Sequence, residues 1–203
     1  MTKKTPFDYL TTVLWLAIIG SFVRAVWAQD WSNIFVVLMA ALLSSVPYVL
    51  EKYYEVSISK RLRFGIIGFL FATMILGEVN SFYTQFPWWD IALHLVAGFG
   101  LTIIGFAILT SIYPRRNLQV EPYFTSIFAF SFTGMMAALW EVFEFASDAI
   151  GVAENKMQTS NTDTMSDIIV ALAAALLVCV GGFRYLTHKE KNVAGDMIDN
   201  TNI

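Results

Sequence analysis

The sequence predicts an all-α membrane protein, a bundle of six transmembrane helices with both termini in the cytoplasm. Of its 203 residues, 57% are hydrophobic and only 14% are charged, whereas about a quarter of the residues of a soluble domain are charged. The apolar residues are gathered into six long runs separated by short polar segments. Each run approaches or exceeds the length of about 20 residues that a helix needs to cross a bilayer.

The six predicted spans are residues 9–28, 32–50, 63–82, 88–112, 123–147 and 165–186. The second span contains Pro47, which a membrane bundle tolerates as a kink. The third contains Glu78, and the fifth and sixth carry acidic residues near one end. Residues 187–203 are polar and are predicted to be a short disordered tail. Residues 1–186 are therefore predicted to form a single transmembrane domain.

Basic residues predict the orientation of the bundle, because Lys and Arg are concentrated in the short cytoplasmic loops of membrane proteins. With the N-terminus placed in the cytoplasm, all 13 Lys and Arg residues except Arg24 and Lys156 fall on the cytoplasmic side. Four tryptophans then lie near the outer interface, as an aromatic belt requires: Trp27, Trp31, Trp88 and Trp89. The sequence contains no motif typical of nucleic-acid binding, so a nucleic-acid partner is not expected.

Two predicted spans carry ionisable side chains on one face near their outer ends. Asp90 and His94 are four residues apart in the fourth span, and Glu141 and Glu144 are three apart in the fifth, followed by Asp148. Side chains at these spacings share one face of a helix. Glu141 and Glu144 lie near a helix C-terminus, where the helix dipole disfavours negative charge. Acids at such a place in a membrane span indicate a functional site.

Other charged residues at the predicted outer side have structural alternatives. Asp163 and Asp167 begin the sixth span, where Thr164 and Asp167 fit a capping box, so helix capping is as good an explanation as function. Glu78 can extend its carboxylate to the interface, although it lies under the same outer rim. Arg24 is either an ion-pair partner or a group that binds phosphate or carboxylate on a substrate.

Buried carboxylates of this density predict a site that holds a cation, protons or a cationic group, because like charges in a low-dielectric interior cannot all ionise. One imidazole and several carboxylates suit Mg²⁺, Mn²⁺, Ca²⁺ or Zn²⁺ without selecting among them. The predicted metal ligands are Glu78, Asp90, His94, Glu141, Glu144, Asp163 and Asp167. For catalysis, the predicted groups are Glu141, His94 and Glu144, with Arg24 binding the substrate.

Three classes of function fit this site. The first is a metal-dependent hydrolase or transferase that acts on a phospholipid or a lipid-linked cell-envelope substrate. The second is a non-catalytic metal-binding protein, either a sensor or a subunit of an envelope complex. The third is a proton-coupled carrier of a cation. Inverted-repeat transporters have a second half that mirrors the first, and the absence of such a repeat in this sequence argues against a carrier. The sequence does not indicate an oligomeric state.

Four segments resemble the YjdF-like family of bacterial multi-pass inner-membrane proteins, namely ILGEVN, WWDIALHLVAGFG, ALWEVFEFASD and NTDTMSDIIVALAAA. The resemblance covers roughly Gly77 to Ala175 and implies a location in the bacterial inner membrane, but no reaction. It places these residues at motif positions: Glu78, Asp90, His94, Glu141, Glu144, Asp163 and Asp167. The Asp-x-x-x-His helix and the Asp-rich helix start are also similar to VanZ-like proteins, although Val170 and Ala171 stand where that pattern has an Asn.

Overall fold

A computed structural model describes residues 4–54, 57–115, 121–151 and 157–199. These residues form helices and no strand, and six of the helices are long and apolar enough to cross a membrane. The predicted fold class, an all-α protein with six spans, is therefore confirmed. The orientation of the termini stays a prediction.

The helices, in chain order, are α1 (Pro6–Ala28), α2 (Trp31–Tyr54), α3 (Lys60–Leu70), a π-helical segment (Phe71–Val79), α4 (Phe82–Gln85), α5 (Trp89–Arg115), α6 (Pro122–Ala149) and α7 (Asn161–Asp199). The third span consists of α3 followed without a break by the π-helical segment, which contains Glu78. Pro47 lies inside α2, as predicted, and is buried. The short helix α4 connects the third span to α5.

The sixth span differs from its prediction at both ends. α7 begins at Asn161 rather than 165, because the hydroxyl of Ser160 accepts the backbone N–H of Asp163 at 3.1 Å and caps the helix one turn early. The expected capping box of Thr164 and Asp167 is therefore wrong, since both residues lie inside the helix. At the other end, residues 187–199, predicted to belong to a disordered tail, continue α7. Their Lys, Glu, Ala and Met residues favour helix.

The described chain divides into two compact units. The first comprises Met1–Leu93 and Ile150–Asn155 and contains α1 to α4 with the π-helical segment. Its buried core is formed by Ile18, Val37, Ala40, Met74, Ile75 and Val79. At one end of this unit, Lys60 pairs with Asp8 at 2.7 Å and Arg63 pairs with Glu51 at 2.5 Å. These pairs join the start of α3 to the start of α1 and the end of α2.

The second unit comprises His94–Ala149 and Lys156–Ile203 and contains α6, α7 and α5 from His94 onward. Its helices approach closely where small residues meet, since a Cβ added at Gly105 would lie 2.8 Å from the Cα of Ala129. Next to this crossing, the hydroxyls of Thr102 and Thr133 are hydrogen-bonded at 2.8 Å. Small residues and hydroxyl pairs of this kind are typical of helix contacts within membranes.

Candidate metal centre

The start of α5 supplies two ionisable side chains on one face. Asp90 lies in the first turn of this helix, where the helix dipole stabilises a carboxylate. His94 follows one turn later and has only 6% of its surface exposed. Because α5 is continuous through both residues, their spacing is fixed by the helix itself.

The neighbouring helices add three buried acids. Asp167 lies in the second turn of α7 and is 1% exposed, while Glu141 and Glu144 lie near the C-terminal end of α6 at 5% and 7%. The early start of α7 explains the depth of Asp167, because the Ser160 cap leaves Asp163 at the helix entrance and carries Asp167 one turn further in. All three acids are thus enclosed by protein.

Three side chains converge closely enough to hold one metal ion. Asp90, His94 and Asp167 each offer one ligand atom, and these three atoms lie within 4.8 Å of one another. Glu141 lies beside this group, with its Oε1 3.9 Å from Nε2 of His94. That distance allows a strong electrostatic interaction with the imidazole but exceeds a direct hydrogen bond. Asp90, His94 and Asp167 are here called the Asp–His–Asp group, and Glu141 lies next to it.

The other predicted ligands Glu78, Glu144 and Asp163 are not members of this group. Glu144 accepts a hydrogen bond from Nε1 of Trp140 at 2.8 Å within α6. Asp163 accepts the backbone N–H and the hydroxyl of Thr159 at 3.1 and 2.8 Å. Among the described residues, no group of three ligand atoms at this spacing includes Glu78, Glu144 or Asp163. A metal-binding role for these three residues stays a prediction.

Two predicted site residues lie before α5 in the chain. Glu78 lies in the π-helical segment, and Arg24 lies near the end of α1. The guanidinium of Arg24 donates to the carbonyl of Val79 and to the side-chain oxygen of Asn80, both at 3.4 Å. Through these two hydrogen bonds, Arg24 stabilises the C-terminal end of the π-helical segment. The predicted role in substrate binding is not tested by them.

Sequence reasoning missed two features of the site. Trp140 stands four residues before Glu144, so its hydrogen bond to that carboxylate was visible in the spacing. Asp148 is predicted only to share a face with Glu141 and Glu144, yet its carboxylate accepts the backbone N–H groups of Met157 and Gln158 at 2.8 and 3.0 Å. Asp148 therefore links the segment before α7 to the end of α6. No signal in the sequence indicated that partner.

Charge balance makes a cation a chemically suitable occupant of the Asp–His–Asp group. The sequence has no Lys or Arg between residues 64 and 114, 117 and 155, or 157 and 183, the segments that supply these acids. A divalent ion offers the positive charge that these helices lack. The set of two carboxylates and one imidazole fits Mg²⁺, Mn²⁺, Ca²⁺ or Zn²⁺, and three protein ligands leave coordination positions for water or substrate.

Comparison with known proteins gives a family without a described reaction. Residues 9–188 match the family described as "Predicted membrane protein (DUF2238)". A Thermotoga maritima protein, named only "Uncharacterized protein", is 29% identical over 126 residues, which are 62% of this chain and 64% of that protein. The chain thus spans about 64% of the length of this relative. No solved structure matches the chain. The YjdF-like and VanZ-like resemblances stay predictions. Since the match covers most of its length, the chain belongs to the DUF2238 family of predicted membrane proteins.

Proposed function

We propose that this protein is a multi-pass protein of the bacterial inner membrane that binds one divalent cation through Asp90, His94 and Asp167. The observation that carries the proposal is the convergence of three ligand atoms from α5 and α7 within 4.8 Å. The burial of Asp167 beside His94 adds to it, because a carboxylate enclosed by protein within a membrane span is costly unless its charge is compensated. A bound cation provides that compensation.

Glu141 has a distinct role in this proposal. Its carboxylate lies 3.9 Å from Nε2 of His94 and is enclosed by protein. Carboxylates beside a metal-binding imidazole orient the ring and raise its basicity. When the site also binds water, the same carboxylate is a group beside the Asp–His–Asp group that can accept a proton. Glu144, held by Trp140 one turn away, supplies further negative charge near the site.

The proposed reaction class is hydrolysis or group transfer on a phospholipid or a lipid-linked envelope substrate. A bound divalent ion supplies Lewis acidity and lowers the pKa of bound water. The position of the cluster supports a lipid substrate, because its residues lie near the starts of α5 and α7 and near the end of α6. The ends of membrane spans are the level at which lipid headgroups lie.

Metal content tests the binding proposal directly. The full-length protein, purified in detergent and equilibrated with Zn²⁺ or Mn²⁺, is expected to retain about one ion per chain by mass spectrometry. Asp167→Asn is expected to lose it, whereas Asp163→Asn, which alters the carboxylate one turn earlier on α7, is expected to retain it. His94→Gln and His188→Gln form a second matched pair, since His188 is the other histidine and is exposed. A wild-type protein that retains no divalent ion would overturn the proposal.

A turnover assay distinguishes the proposed enzyme from a sensor, an envelope-complex subunit and a carrier. The metal-loaded protein is expected to release product from phospholipid or lipid-linked substrates in mixed micelles, and Glu141→Gln is expected to abolish release while retaining the metal. Metal binding without turnover on either substrate class would contradict the enzyme and favour a sensor or an envelope-complex subunit. Proton-coupled cation uptake into liposomes would favour a carrier.

A further inference from the structure

α5 and α7 are in backbone contact one turn beyond the proposed metal ligands. A Cβ added at Gly98 would lie 2.9 Å from the Cα of Ala171 and 2.8 Å from the Cβ of Ala174, and closer still to the carbonyl oxygen of Ala171. Real Cβ atoms do not approach other heavy atoms so closely. Only a hydrogen atom fits at position 98, so the separation of the two helices there is at its minimum.

The register of this crossing relates it to the Asp–His–Asp group. Gly98 is four residues after His94, and Ala171 is four residues after Asp167. Four residues advance a helix by about 6 Å, slightly more than one turn. The crossing and the ligands therefore form two consecutive levels of the same helix pair, with side chains on the same faces.

We propose that Gly98 is a positioning residue for the metal centre, because its missing side chain sets the α5–α7 separation at which His94 and Asp167 reach one ion. This inference rests on the proposed function. It assigns Gly98 a role that differs from general helix packing. A larger residue at position 98 would alter the geometry of the ligands even in a protein that stays folded.

The expected loss of metal affinity in Gly98→Ala follows from the rigidity of the contact between Gly98 and Ala171. The atoms facing Gly98 include the backbone of Ala171, which cannot rotate aside as a long side chain would. A methyl group must therefore move one helix against the other. Metal–ligand distances tolerate changes of only about 0.2 Å. A helix displacement of several tenths of an ångström is thus enough to weaken coordination.

α5 offers two matched controls for Gly98→Ala. At Gly100 an added Cβ meets nothing within 4 Å, so Gly100→Ala tests the substitution without a collision. At Gly105 an added Cβ lies 2.8 Å from the Cα of Ala129, so Gly105→Ala introduces a similar collision with α6. Gly105 lies 11 residues after His94, about 16 Å along the helix. Comparing Gly98→Ala with Gly105→Ala therefore separates ligand positioning from general loosening of helix packing.

The experiment titrates Co²⁺ into the full-length protein in detergent and records the visible absorption of the bound ion, which reports its coordination geometry. We expect Gly98→Ala to bind Co²⁺ about 10- to 100-fold more weakly, the range seen when groups that orient metal ligands are altered. Its spectrum is expected to differ from that of the wild type. Gly100→Ala is expected to match the wild type, and Gly105→Ala to keep the wild-type spectrum despite a lower unfolding temperature.

A second variant covers the case in which Gly98→Ala does not fold. Adding Ala174→Gly to it removes the collision with the Ala174 methyl and leaves the collision with the Ala171 backbone. Its Co²⁺ affinity is expected to be lower than that of the wild type and, where Gly98→Ala folds, higher than that of Gly98→Ala. Wild-type affinity and spectrum in either Gly98 variant would overturn the inference, as would an equal spectral change in Gly105→Ala. If the wild type binds no Co²⁺, Zn²⁺ or Mn²⁺, the proposed function itself fails.

Discussion

The two units of the molecule place their charged residues in opposite ways. In the first unit, Asp8 pairs with Lys60 and Glu51 with Arg63, and all four side chains remain partly exposed at the ends of helices. In the second, Glu141, Glu144 and Asp167 are buried, and the carboxylates of Glu141 and Asp167 lie beside the imidazole of His94. Neither arrangement can be read from residue types alone.

The comparison distinguishes charged side chains that stabilise the fold from charged side chains that are placed to bind a ligand. A partly exposed ion pair contributes little, about 0–1 kcal/mol, because water screens it. Burial removes that screening and makes each carboxylate dependent on what surrounds it. The first unit therefore uses opposite charges to join helix ends. The second holds carboxylates where a cation would be most strongly attracted.

Removing the metal is expected to produce the largest effect and to affect the second unit. A ligand present at 100 times its dissociation constant stabilises the folded state by about 2.7 kcal/mol. Chelation of the metal-loaded protein should therefore lower its thermal unfolding temperature, measured by circular dichroism. Asp167→Asn is expected to show no response to the chelator, and Asp163→Asn to respond like the wild type. An equal response of Asp167→Asn would remove Asp167 from the ligand group.

An intermediate effect is expected from Trp140→Phe. This substitution removes the Nε1–H that Glu144 accepts at 2.8 Å and leaves a buried carboxylate with one partner fewer. We expect a loss of about 1–2 kcal/mol in the free energy of unfolding, measured by denaturant titration in micelles. The stoichiometry of bound metal is expected to stay unchanged, since Glu144 lies outside the Asp–His–Asp group. Loss of the metal would instead make Glu144 part of the centre.

The smallest effect is expected from Glu51→Gln in the first unit. The amide oxygen can still accept the N–H of Ile58, which Glu51 accepts at 3.1 Å, so only the charge opposite Arg63 is lost. The expected loss is at most about 1 kcal/mol, measured by the same titration. Metal binding is expected to be unaffected. A loss larger than that of Trp140→Phe would reverse the comparison between the two units.

Much of the fold follows from the sequence because a bilayer imposes a length and a composition on every span. The apolar runs therefore predicted all six long helices, and the i, i+4 spacing predicted that Asp90 and His94 share a face. The sequence did not distinguish Asp163 from Asp167, which are one turn apart with similar surroundings. A single hydrogen bond from the N–H of Asp163 to Ser160 decides between them, since it sets where α7 begins. Small residues such as Gly98 and Ala171 indicate close helix packing in the sequence, but they do not indicate which two helices meet.

The π-helical segment changes how the third span can be compared with related chains. Its hydrogen bonds run from residue i to i+5, so each turn holds more residues than an α-helical turn. The faces of the span before and after Phe71–Val79 are therefore offset from what a uniform 3.6-residue period would give. A relative that forms an ordinary α-helix here is expected to align with a gap between residues 71 and 79. Without that gap, an alignment would place Glu78 opposite a residue from a different side of the helix.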